Sequence, residues 1–82
     1  LDIVEPEYNS LIHVPQDVIL KMIADLPDSK RTVFNLYCLE NYTHKEIAEL
    51  LGIKENTSSS ILYKARVILA DKVNAYIKEK GL

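Results

Sequence analysis

Apolar residues recur at three- and four-residue intervals along most of this chain, the spacing of helices with one buried face. Val18, Ile19, Met22, Ile23 and Leu26 form the first such run. Pro15 suits the first turn of a helix, where its missing N–H would have no intrahelical partner. Pro27 stops the run, so a short helix is predicted to about residue 25. Asp28 or Ser29 is placed to cap a second helix, with Val33, Phe34, Leu36, Tyr37 and Leu39 as its apolar face through about residue 40. Asn41 breaks it. Thr43-His44-Lys45-Glu46 has the form of a capping box, a hydroxyl followed three residues later by a carboxylate that reaches back. Ile47, Ala48, Leu50 and Leu51 are the expected buried stripe of that brief helix, and Gly52 stands where a left-handed residue ends it. A long helix is predicted over 55–80, with Leu62, Ala65, Leu69, Val73 and Tyr76 on one stripe and Gly81 at its end. Nothing calls for a strand. The chain reads as all-α, with four helices joined by short turns. Its first helix and the second half of its last are expected to share a core with Phe34 and Tyr37.

A short helix over 43–51, a turn at Gly52-Ile53-Lys54 and a helix with a polar start match the helix-turn-helix plan. There the second helix lies in the major groove while the first crosses the phosphate backbone. Asn56-Thr57-Ser58-Ser59-Ser60 is the polar start, and hydroxyl residues are poor helix filler because they compete for backbone hydrogen bonds. At 100° per residue, a core stripe through Ser58, Leu62, Ala65 and Leu69 leaves Asn56, Ser59, Ser60, Tyr63, Lys64 and Val67 on the opposite side. Thr57, Ile61 and Arg66 flank the stripe. His44 and Lys45 occupy the first turn of a helix, where the dipole disfavours cations. Either a bound phosphate relieves that conflict or both side chains simply point to solvent. DNA contact is therefore expected to centre on Ser59, Ser60, Tyr63 and Lys64, supported by Thr43, His44, Lys45, Thr57 and Arg66. Arg31, one helix earlier, is the candidate for protein contact.

Charge sharpens this picture. The net charge is −2, but residues 1–53 carry four basic against nine acidic side chains, and residues 54–82 carry six against three. A locally basic surface can meet a polyanion despite an acidic total. The remaining composition excludes other classes. With 82 residues, 48% of them apolar, two glycines and three prolines, the chain has the make-up of one folded domain. Residues 1–14, with Asp2, Glu5, Glu7 and Pro6 but no basic residue, read as a linker or arm ahead of a domain over 15–82. No apolar run reaches the roughly 18 residues of a membrane span. Cys38 has no companion for a disulfide or a CxxC site, and His13 and His44 have no ligand-spaced neighbours, so neither metal, cofactor nor enzyme chemistry is expected. Starting at Leu1, the chain reads as a piece of an intracellular, cytoplasmic protein.

Several joined motifs carry a family resemblance. Leu26-Pro27, Arg31-Thr32-Val33-Phe34-Asn35-Leu36-Tyr37, Tyr42-Thr43-His44-Lys45-Glu46-Ile47-Ala48, Leu51-Gly52-Ile53 and Thr57 followed by Leu62-Tyr63-Lys64-Ala65-Arg66 resemble region four of bacterial sigma factors. The group they resemble is the extracytoplasmic-function class, in forms seen among the Bacteroidetes, and the likeness runs over about residues 18–72. The resemblance implies a winged-helix-like, four-helix domain with a long C-terminal recognition helix. It also implies binding to the promoter −35 element and docking on the flap tip of the RNA polymerase β subunit, under the control of an anti-sigma factor. Where the family often has a capping Ser, this chain has Lys54, and Ser59 and Ile61 stand where basic or polar groups are frequent. Weak DNA binding by the domain alone is the consequence. Two other readings stay open. One is a LuxR-type output domain, which also uses a Lys-Glu-Ile-Ala helix. The other is a protein-interaction module, favoured by the acidic first half and by Ile61 and Val67.

Overall fold

In the computed structural model, residues 14–81 are described; the predicted arm lies outside them except for Val14, which is buried. Four α-helices follow in order: α1 (Gln16–Ala24), α2 (Asp28–Phe34), α3 (His44–Leu51) and α4 (Glu55–Lys80). A five-residue π-helical turn, Asn35–Leu39, continues α2. No strand, and hence no wing hairpin, occurs among the described residues.

Proline starts both of the first two helices from one position outside them. Pro15 and Pro27 are extended at ψ 145° and 148°, and their carbonyls accept the first bonds, from Ile19 and Arg31 at 3.1 and 2.9 Å. This corrects two expectations. Pro15 precedes its helix instead of sitting in the first turn, and neither Asp28 nor Ser29 caps α2. Proline's fixed φ already matches the geometry needed there, and the Asp28 carboxylate turns to Arg31 instead.

The core has two parts joined by Phe34. Ile23 and Leu26 pack on Ala65, with Ile19, Phe34, Ile68 and Leu69 around them. Val33, Ile47 and Leu62 form the second part, with Phe34, Leu36, Tyr37, Cys38 and Ile61. Phe34 thus packs with α1 and α4 as expected, whereas Tyr37 belongs to the second cluster only. α4 supplies Ser58, Leu62, Ala65, Ala70 and Val73 as its buried line. At 1.5 Å per residue its 26 residues reach about 39 Å. That is nearly the 42 Å length of the described molecule, so every other helix packs against one rod.

Three expected core residues are exposed. Leu39, Leu50 and Leu51 are 58%, 59% and 39% exposed. A π turn closes its hydrogen bonds five residues apart, as Glu40 N–H to Asn35 O does at 3.0 Å, so positions beyond it drift off the α-helical face. Leu50 and Leu51 lie in the last turn of an eight-residue helix, whose buried positions are Ile47 and Ala48.

Candidate nucleic-acid interface

The entry to α3 is built from Thr43 and Glu46. Thr43 Oγ1 accepts from the Glu46 N–H at 3.1 Å, and the Thr43 N–H donates to Glu46 Oε1 at 2.9 Å. This reciprocal pair satisfies two of the donors a helix start leaves open, as the sequence predicts. The exit is built from Gly52, left-handed at φ 69°, after which the Ile53 N–H returns to Ala48 O at 3.0 Å. Ile53 is half-buried and lines an apolar groove with Val33, Leu51 and Ile61. α4 then begins after an extended Lys54 that makes no side-chain cap.

Ser58 is fully buried where α4 crosses α3. A buried hydroxyl without a partner costs about 1–3 kcal/mol, and here His44 Nδ1 lies 2.9 Å from Ser58 Oγ. The His44 ring also stacks on Tyr37, with centroids 4.5 Å apart and planes 19° from parallel. The imidazole is thus turned toward α4, and the sequence-level picture of a ring directed at solvent does not hold. Lys45, beside it, is exposed and lines a groove with Lys54 and Asn56 at the start of α4.

The side of α4 opposite the core is open at its beginning. Asn56, Thr57, Ser59, Ser60 and Lys64 are all exposed. Asn56, Ser60 and Lys64 follow one another at i+4 intervals and so form a single stripe. Tyr63 and Arg66 are half-buried, and each already interacts with another group of the chain. Two exposed polar residues were not among those singled out as DNA contacts, Asn56 and Lys54. For Asn56 the signal was present in the sequence, since it shares the stripe of Ser60 and Lys64. Arg31 stands apart from this surface. Its Nη1 donates to the carbonyls of Ala24 and Leu26, both at 3.2 Å, and its Nη2 to Asp28 Oδ1 at 2.8 Å. It therefore ties the end of α1 to the start of α2.

Among the described residues, no cluster of three or more His, Cys, Asp or Glu could hold a metal. No described helix is long and apolar enough to cross a membrane.

A capped short helix, a left-handed glycine turn and a long helix that opens with exposed amide, hydroxyl and ammonium groups define a helix-turn-helix domain. Residues 16–69 match the family described as Sigma-70, region 4, and the chain belongs to that family. It is 28% identical over 65 residues to a curated relative, the ECF RNA polymerase sigma factor SigM of Bacillus subtilis (strain 168). That likeness covers 79% of this chain and 40% of the relative, so the match spans two-fifths of the length of the protein it resembles. No solved structure matches it.

Proposed function

We propose that the chain is the C-terminal DNA-reading part of an RNA polymerase sigma factor of the extracytoplasmic-function type. It recognises the promoter −35 element and docks on core polymerase, at the β flap, to direct transcription initiation in the cytoplasm. The observation that carries this reading is the exposed polar stripe at the start of α4, held behind a closed helix-turn-helix corner in a member of the sigma-70 region 4 family. Ser59, Ser60 and Lys64 face the groove, and Tyr63 lies at the edge of that face. Thr43, Lys45, Thr57 and Arg66 support contact with the backbone on either side, while His44, turned inward onto Ser58, supports that face from behind. Of these, Thr43 contributes mainly by ordering α3, because its hydroxyl and amide are both engaged in the cap.

Partner docking has its own support. Leu50 and Leu51, adjacent at the end of α3, and Leu39 leave apolar side chains in water for a protein partner to cover. Polymerase and an anti-sigma factor are the proposed occupants, with Arg31 at the edge of the docking region. Its guanidinium shapes the α1–α2 turn, so it acts there through the backbone as well as by its charge.

The reading is tested by selecting duplexes from a random pool on the 82-residue chain. A recurrent short sequence that competes better than its scrambled version is expected. Ser60→Ala should then lower the preference for the selected duplex by about 1–3 kcal/mol, the range for a good base contact. Recovery of no common sequence, with strong binding to polymerase retained, would leave only the interaction-module reading.

A further inference from the structure

Ser58 is the one buried polar residue in the core of the described chain, and the sequence gives it immediately before the exposed Ser59 and Ser60. An apolar side chain there would pack without directional preference. A hydrogen bond of 2.9 Å has a preferred distance and angle, so it resists rotation of α4 about its own axis. His44 at the other end is itself held. It is the first residue of α3, whose start is closed by the Thr43–Glu46 pair, and its ring rests on Tyr37. The first turn of α4 lacks a side-chain cap, and the Ser58–His44 link ties the start of that helix to α3.

We propose that His44 and Ser58 are positioning residues, a polar clamp that sets the rotation of α4 and so aims Ser60 at the base edges, while the long, exposed Lys64 side chain reaches a phosphate whichever way the helix is turned. The proposal rests on α4 being the reading helix. It assigns His44 a role in sequence discrimination that acts through Ser58.

Four variants of the 82-residue chain separate the clamp from a general structural role. Ser58→Ala removes the hydroxyl in a residue well suited to a helix interior. His44→Phe keeps a ring to stack on Tyr37 but loses Nδ1. His44→Asn keeps a polar atom near the Nδ1 position and loses the ring. The fourth combines Ser58→Ala with His44→Phe. Affinity is measured for the selected and scrambled duplexes at several salt concentrations, beside the unfolding midpoint. Ser58→Ala and His44→Phe should each cut the selected-to-scrambled affinity ratio about tenfold, the order of one good base contact. The double variant should lose no more than either single one. His44→Asn should keep most of the ratio, and the salt dependence should not change, because no phosphate contact is removed.

An unchanged ratio in Ser58→Ala overturns the clamp while leaving the DNA-reading proposal intact. So does a parallel fall on both duplexes with a shallower salt slope, which would make His44 a phosphate contact. Multiplicative losses in the double variant overturn it as well. If His44→Phe does not fold, His44→Asn decides, since a ratio lost as fully as in Ser58→Ala removes the polar link. A wild-type chain that never distinguishes the two duplexes removes the DNA reading itself, and the clamp with it.

Discussion

Val33, Ile47 and Ala65 are wholly shielded from water; Val33 and Ile47 meet Leu62 where α2, α3 and α4 converge, and Ala65 lies against Ile23 and Leu26. Ile47→Ala would remove methyl groups from a site enclosed on every side and should destabilise the chain by about 2–5 kcal/mol. Chemical denaturation of the two proteins measures this, and a change under 1 kcal/mol would show that the neighbouring residues collapse into the space. Single residues also show the limits of a pattern reading. Ile47 and Ala48 were placed inside correctly because they lie mid-helix, with packing partners on both sides. Leu50 and Leu51 satisfy the same spacing, yet periodicity fixes only a direction, not how far the neighbouring helices extend. Ser58 was legible as a stripe position. Its partner was not, since His44 is 14 residues away and only the folded chain brings the two together.

Among the elements, the ends of α3 and α4 were the most readable. Their termini are set by short-range chemistry that lies within a few residues, and the capping box, the left-handed Gly52 and the 55–80 span all appear as predicted. The π turn at Asn35–Leu39 had no such local mark, and it displaced Leu39 from the face assigned to it. Of the candidate DNA contacts, the exposed stripe through Ser60 and Lys64 was visible from 100° geometry. The inward turn of His44 depends on Tyr37 and Ser58, which no helical wheel of α3 contains. Gly52 offers the cleanest element-scale test. A Cβ added there meets nothing within 4 Å, so any cost of substitution comes from φ 69° alone. Gly52→Ala should cost about 1–2 kcal/mol. For a chain of this size that lowers the melting temperature by about 4–8 °C per kcal/mol. Gly52→Asn should cost less, because Asn tolerates this conformation, as Asn41 does here at φ 61°. Equal melting temperatures for wild type and Gly52→Ala would mean that the turn relaxes out of the left-handed region.

For the whole molecule, the uneven charge acquires a geometric meaning. The basic excess of residues 54–82 lies on α4, the rod on which the other helices pack, while the acidic excess belongs to the part before it. Few cations face the proposed groove, with Lys64 the exposed one on the stripe. The domain alone should therefore bind DNA weakly, near the non-specific range of about 10⁻⁴–10⁻⁶ M at physiological salt. Tight binding would then depend on polymerase holding the domain in place, while the preference for the selected duplex is a ratio that the domain shows alone. The central claim is that the open face of α4 meets the DNA backbone, and the most direct measurement is the salt dependence of binding by Lys64→Ala. Losing one phosphate contact should lower the slope of log affinity against log salt by about one, equally on selected and scrambled duplexes. A Lys64→Ala variant with the wild-type affinity and slope would contradict the account, because the exposed cation of the reading stripe would then not touch DNA.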